Sequence, residues 1–401
     1  MIDFEEAFDI VLSRAEILGV KRVPLTESIG CVLAEDIKSG FDIPQFYKSA
    51  MDGYAVISED IVKAPVNLKC VGEISAGKIY NGRLNNGECV KIMTGSPVPE
   101  GADAVVMIEN TSINFETKMV EVKKPVCKWE NVCLKGESVK AGDVVLKKGT
   151  ILMAPEVALI ASTGKKEVMV YKKPEIAILS TGNELIEPGA RYEYGKIYNS
   201  NGSMICALLL SVGMSPVYLG IATDDEKSLF DKINAGLQSD MLIISGGVSM
   251  GDYDLVPVML KKCGVEKDFH KVAIKPGKPT FFGHLGRTLV FGLPGNPVSV
   301  FLNYSIFVKP AIDRIMGKRT SLKIDEGILI SDFENKPGRK NFIPCFAKKV
   351  NNIYEVSPVR NYHGSGDIAG LLYANGFMIV ERDITRLNKD TKVEVMLWRD
   401  R

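Results

Sequence analysis

Lys-Pro-Glu-Ile-Ala-Ile-Leu-Ser-Thr-Gly-Asn-Glu (173–184) reads as a buried β-strand over 175–179 that runs into a polar turn. The same grammar repeats downstream. A helix is expected over 201–212, stopped by Gly213, then a strand over 216–221. A second helix is expected over 224–237, beginning near its two aspartates, then strands over 241–244 and 288–291 and a helix from about Val298. Strand and helix alternating at this spacing predict a parallel, doubly wound α/β sheet.

The text changes on both sides of this block. Phe4, Ala7, Phe8, Val11, Leu12, Ala15 and Leu18 recur at helical spacing up to Gly19, predicting an amphipathic opening helix. From about 41 to 140, short apolar runs such as Gly-Glu-Cys-Val-Lys-Ile-Met (87–93) and Ala-Asp-Ala-Val-Val-Met-Ile (102–108) alternate with glycine, proline and asparagine, which predicts a β-rich module. Helical text returns over 154–163, with Pro155 in a first helical turn. Short strands resume from Ser321, giving a second β module, and there is no internal repeat.

Composition narrows the function classes. A chain of 401 residues suggests roughly two to four domains, and 46% hydrophobic residues suffice for real cores. A net charge of +1 argues against a dedicated nucleic-acid binder. The N-terminal Met-Ile-Asp-Phe-Glu-Glu lacks signal-peptide order, and no apolar run approaches a membrane span. The eight cysteines are scattered without Cys-x-x-Cys, and there are three histidines, so reduced thiols in a cytoplasmic protein are expected rather than disulfides or zinc.

The chemistry concentrates beyond the strand ends, where doubly wound sheets bind ligands. Glu184, Asp224, the loop Ser-Gly-Gly-Val-Ser-Met-Gly-Asp-Tyr-Asp (245–254) and the turn Gly-Leu-Pro-Gly-Asn-Pro (292–297) each follow a predicted strand. Any one of these alone is a turn or a helix cap; their convergence at one edge points to a ligand site. Lys-Val-Ala-Ile-Lys-Pro-Gly-Lys-Pro (271–279) stiffens Lys271, Lys275 and Lys278 between prolines and glycine, which suits oxyanion or phosphate capture. Carboxylates beside such anion-binding turns suit a phosphorylated substrate handled with magnesium. Neither a Walker-type phosphate loop nor a dinucleotide fingerprint is present. In the first β module, Ser-Ala-Met-Asp-Gly-Tyr-Ala (49–55) and Met-Thr-Gly-Ser-Pro-Val-Pro-Glu-Gly-Ala-Asp (93–103) would by themselves be strand-joining turns.

These stretches, with Ser-Gly-Gly-Val-Ser-Met-Gly, Ile-Lys-Pro-Gly-Lys-Pro and Leu-Pro-Gly-Asn-Pro in that order, resemble the molybdopterin molybdenumtransferase family, called MoeA in bacteria and the E domain of gephyrin in animals. The likeness spans essentially the whole chain. It implies an α/β multidomain homodimer whose central doubly wound parallel domain is MogA-like, between β-rich N-terminal and C-terminal domains. The implied divisions are 1–40 with 140–172, 41–139, 173–318 and a barrel-like 319–401. The implied reaction inserts molybdate into adenylylated molybdopterin with magnesium and releases AMP. Carried over by position, Asp52 and Thr94 face the active site across the dimer, and Glu184, Asp224 and Asp254 are the acids and metal ligands. Lys271 and Lys275 are the basic pair. Gly246, Gly247, Ser249, Gly251, Lys278, Pro294, Asn296, Pro297, Arg339 and Ser365 contact substrate. Molybdopterin adenylyltransferase and the recipient molybdoenzymes are the implied protein partners.

The chain departs from the family pattern at Ser138 and Asn183, where an acid is common, and at Pro344, where bacterial relatives often carry arginine. Losing that positive charge leaves tungstate open as the metal oxyanion, with Arg339 and Lys340 at hand to replace it. Two other classes stay open. One is a molybdopterin adenylyltransferase, against which the flanking β modules argue. The other is a non-enzymatic scaffold, against which the missing second enzyme domain and long linker argue.

Overall fold

The computed structural model describes residues 1–75, 77–248, 255–318, 320–360 and 362–399. They fall into two compact units, 23–29 with 35–168, and 1–22 with 30–34 and 169–401.

The larger unit is built on a six-stranded sheet. Four strands are mutually parallel, in the order Pro216–Ala222, Ile176–Thr181, Met241–Ser245, Thr288–Leu293. The helices Ser200–Ser211, Glu226–Gly236 and Pro297–Asn303 follow the expected positions within a residue or two. Both sheet faces are covered. Ile176, Ile178, Ile243 and Phe291 point into one core, while Ala177, Leu179, Leu242 and Val290 point into another. That is why these strands read as continuous apolar runs.

The sheet does not end with its parallel strands. Phe281–Leu285 and Glu266–His270 continue it antiparallel at one edge. The opening helix also corrects an expectation, since it spans Phe4–Arg14 and stops short of Leu18 and Gly19. Ala15 is still buried in the main core and Leu18 packs against it, so the apolar spacing outlasts the helical backbone.

Within the same unit the C-terminal strands close on themselves. Lys340–Val350, Ile353–Pro358, Asp325–Leu329, Lys392–Leu397 and Gly376–Val380 pair in sequence, and the last pairs back with the first. The two-residue strand Ile274–Lys275 adds to this ring alongside Lys340 and Asn341. The chain between the two edge strands of the α/β sheet is thereby tied to the barrel.

The smaller unit is a mixed six-stranded sheet in the order Ala104–Met107, Gly53–Val56, Glu88–Ile92, Val66–Ile74, Met119–Val122, Thr111–Asn114. Tyr54, Val56, Cys89 and Val106 fill one face, and Ala55, Val90, Ile92 and Val105 the other. The helix Ala154–Ser162 has proline in its first turn, as read from the sequence. Among the described residues no helix is long and apolar enough to cross a membrane.

Candidate active site

The carboxyl ends of the parallel strands converge on a cavity of about 340 Å³ lined by Thr181, Glu184, Asn199, Asn201, Gly246 and Asn296, among others. Each wall has a local cause. The strand Ile176–Thr181 ends at Gly182, whose φ of +144° suits glycine. A Cβ there would stand 2.6 Å from Glu184 Oε2, so the carboxylate lies over a bare backbone. Asn183 and Asp224 clamp the two neighbouring turns together. The Asn183 amide donates to Asp224 Oδ2, and the Asp224 amide donates to Asn183 Oδ1, both at 3.0 Å. Asn183 therefore positions Asp224 while staying uncharged itself.

The next wall is the start of the helix Ser200–Ser211. Asn199 caps it, accepting from the Gly202 amide at 2.9 Å and from Ser180 Oγ at 3.2 Å. Its Nδ2 donates to the Tyr218 hydroxyl, which donates in turn to Glu187. Burial raises the Tyr218 hydroxyl pKa, and the Glu187 carboxylate raises it further. Asn201 Nδ2 donates to the Gly295 carbonyl at 2.6 Å, tying this helix start to the 292–297 turn.

Two polar atoms in the cavity wall, Thr181 Oγ1 and Asn201 Oδ1, are buried without a hydrogen-bond partner among the described residues. Buried polar atoms are normally paired with protein, water or a ligand, and both of these residues line the cavity. Sequence reading passed over both, although Asn201 opens the predicted helix. The Gly246–Gly247 turn closes over Thr181. Side chains there would meet Thr181 O at 2.5 Å and Thr181 Oγ1 at 2.7 Å, and both residues have positive φ.

A second cavity of about 690 Å³ shares Asn296 with the first. Lys275, Lys278, Pro294, Arg339 and Ser365 line it, together with Lys336 and Arg360, which the sequence reading did not single out. Asn296 Nδ2 donates to Ser365 Oγ at 2.8 Å, and the Val298 amide donates to the Ser365 carbonyl, so the α/β turn and the C-terminal loop meet here. The Lys275–Lys278 segment is rigidly seated. Thr280 Oγ1 donates to the Gly277 carbonyl and touches Asn303, and Gly277 (φ +98°) leaves room for Asn303 Nδ2, which a Cβ would meet at 2.3 Å. Lys271 lines neither cavity; its carbonyl accepts from the Ile2 amide.

Pro297 lines the first cavity at the start of its helix. Lys340, offered as a replacement for the charge missing at Pro344, is otherwise engaged. It pairs with Glu5 at 2.6 Å and Glu381 at 2.9 Å. Burial lowers its pKa, but these carboxylates outweigh that and hold it above the usual lysine range. Ser249, Gly251 and Asp254 lie outside the described residues. Among the described residues no group of three or more His, Cys, Asp or Glu is arranged for a metal ion. Glu184 lines the first cavity and Asp224 lines neither, so the cavity wall itself offers one carboxylate, a donor set of the kind magnesium takes when phosphate oxygens and water complete its shell.

In the smaller unit Asp52 and Thr94 are joined directly. The Thr94 amide donates to Asp52 Oδ1 at 2.6 Å and its hydroxyl to the same oxygen at 2.8 Å. The amide bond, then the hydroxyl bond, holds the Asp52 pKa below the usual carboxylate value. Gly53 is obligatory beside it, since a Cβ would fall 1.9 Å from the Val106 carbonyl oxygen.

Comparison with known proteins assigns the family. Models of the MoeA N-terminal region (domains I and II), a probable molybdopterin-binding domain and the MoeA C-terminal region (domain IV) match residues 2–164, 177–314 and 326–398. The molybdopterin molybdenumtransferase of Staphylococcus aureus is 36% identical over 380 residues, covering 93% of this chain and 90% of its own. Two crystal structures of the molybdopterin biosynthesis MoeA protein of Pyrococcus horikoshii superpose with TM-scores of 0.82 and 0.80 at 32% and 33% identity. They cover 100% and 99% of this chain and all of theirs. With its domain models in order along the chain and its fold shared throughout, the chain belongs to the MoeA family of molybdopterin molybdenumtransferases.

Proposed function

We propose that this protein inserts molybdenum into molybdopterin, starting from the adenylylated form and molybdate and releasing AMP. The observation that carries the reading is the junction at Asn296. There, a cavity with unpaired hydrogen-bonding atoms and carboxylates beside it meets a cavity rich in cations. The first suits a pterin and its phosphates; the second suits a metal oxyanion.

In this reading Thr181 and Asn201 pair with the pterin-side substrate through their open oxygens, and the glycine turn at 246–247 lets it approach the backbone. Glu184 and Asp224, joined by Asp254, would hold magnesium against the anhydride phosphates. Bound there, magnesium supplies charge neutralisation and polarises the phosphoanhydride toward attack. Lys275, Lys278 and Arg339 offset the charge of the phosphates and the incoming oxyanion, and the Asn296–Ser365 contact fixes the distance between the two ligands. Lys271, which lines neither cavity, is retained as a further positive charge on the strength of the family resemblance alone.

The working form is a homodimer in which the Asp52–Thr94 pair of one copy serves the crevice of the other. The domain division that goes with it is 1–40 with 140–172, 41–139, 173–318 and 319–401. The work is cytoplasmic and acts on small molecules, with product passed to recipient molybdoenzymes. Tungstate is the second oxyanion worth testing, because Pro344 brings no positive charge where the family pattern has arginine.

AMP release by Glu184→Gln and Asp224→Asn tests the acid assignment. Loss of a positioned acid–base or metal-binding group is expected to lower turnover by about 100-fold or more with an unchanged melting profile. Wild-type rates in both variants would refute it.

A further inference from the structure

The cation-rich cavity contains more charge than the residues assigned to it so far. Five positive side chains line it, Lys275, Lys278, Lys336, Arg339 and Arg360, against one acid, Glu334. None of the five forms an ion pair among the described residues. Lys278, Lys336 and Arg360 are exposed, so water screens part of their mutual repulsion, and a bound anion would offset the rest.

The five are not equally available. Arg339 already donates from one amino group to the Ile274 carbonyl at 3.0 Å. Lys275 and Lys278 belong to the turn that Thr280 and Asn303 hold in place. Lys340 is withdrawn by Glu5 and Glu381. Arg360 has no hydrogen bond or ion pair among the described residues. It follows the strand Ile353–Pro358, whose next residue, Val359, donates its amide to the Pro344 carbonyl at 3.0 Å. Arg360 is exposed and reaches the cavity wall, whereas Pro344 is buried in its strand and lines neither of the cavities that Arg360 lines.

Arg360 also lines an adjoining cavity of about 480 Å³, with Phe346, His363, Asp367 and Tyr373. The acid in that wall is bound to its own loop. Asp367 accepts from the His363 and Gly370 amides at 3.1 Å, and the former contact leads in lowering its pKa.

We propose that Arg360 is the residue that holds the incoming tetrahedral dianionic oxyanion in the cation-rich cavity. The inference rests on the reading of this site as an acceptor of a metal oxyanion. A guanidinium presents paired N–H groups in a plane that matches two oxygens of such an ion, whereas Lys336 offers only a point charge.

The test uses the full-length protein, with AMP release measured at saturating adenylylated molybdopterin and varied molybdate for wild type, Arg360→Gln and Arg360→Lys. Losing a charge-assisted pair of hydrogen bonds is expected to raise the KM for molybdate about tenfold in R360Q. In that variant kcat and the KM for adenylylated molybdopterin stay near wild type, and R360K lies between. Calorimetric titration with inorganic molybdate alone reads the same contact without turnover, and R360Q should lose most of the heat. An unchanged molybdate KM and unchanged heat in R360Q would overturn the proposal, as would an equal loss for both substrates. A wild type that binds molybdate through Arg360 but releases no AMP would instead overturn the underlying reading of the reaction.

Discussion

Asp52 shows how a surface acid is kept ionised without burial. Two donors from one residue, the Thr94 amide and hydroxyl, converge on a single carboxylate oxygen. A folded-state pKa held below its unfolded value means that the contribution to stability is present above the unfolded pKa. It is lost as pH falls through the folded one. Thr94→Val removes the hydroxyl donor and keeps the amide, so the Asp52 pKa should move part of the way back up. A carbon-detected NMR titration of the carboxylate measures this, and an unmoved pKa would leave the amide as the whole cause. Asp52 and Thr94 were named only through family resemblance; their own text reads as two turns. Thr181 and Asn201 were missed because a threonine in a strand and an asparagine at a helix start look ordinary until burial exposes their unpaired oxygens.

Among the elements, the parallel strands were legible because each is an unbroken apolar run followed at once by turn residues. The antiparallel edge was not. Glu266–His270 carries two exposed charged residues at its outer end and Phe269 as its buried residue, a pattern shared with loops. The opening helix was overread for the opposite reason, because Ala15 and Leu18 keep to the core after the backbone has left the helix. Two elements that shape the site yield numerical expectations. Asn199→Ala removes the cap of the helix Ser200–Ser211 and its link to Tyr218, and should cost about 1–2 kcal/mol of stability. Gly277→Ala forces a side chain into the left-handed region and against Asn303, and should cost about 1–3 kcal/mol and loosen Lys275 and Lys278. Denaturant midpoints at constant m-value measure both. A neutral Gly277→Ala would mean that the lysine turn is not held by this contact.

At the scale of the whole molecule, the proposed reaction places groups from two copies of the chain at one site. Asp52→Asn and Glu184→Gln should each be nearly inactive alone. Mixed and re-equilibrated, half the dimers are heterodimers, each with one site built from two unmutated contributors. About a quarter of wild-type activity should then return. No recovery, with mixed dimers verified by mass, would place both residues in sites built within one copy. The domain order and the general chemistry were legible in the sequence because five separated motifs occur in register. The cation-rich cavity was legible only in part, since Lys336 and Arg360 join it through the closure of the C-terminal barrel. Nothing in the local text of either residue announces that closure. The most direct measurement is AMP release from adenylylated molybdopterin and magnesium by the wild-type protein, with molybdate, with tungstate and with neither. Release that depends on a metal oxyanion, with molybdate the more effective, is the expected result. AMP release indifferent to both oxyanions, or none at all, would contradict metal insertion at this site.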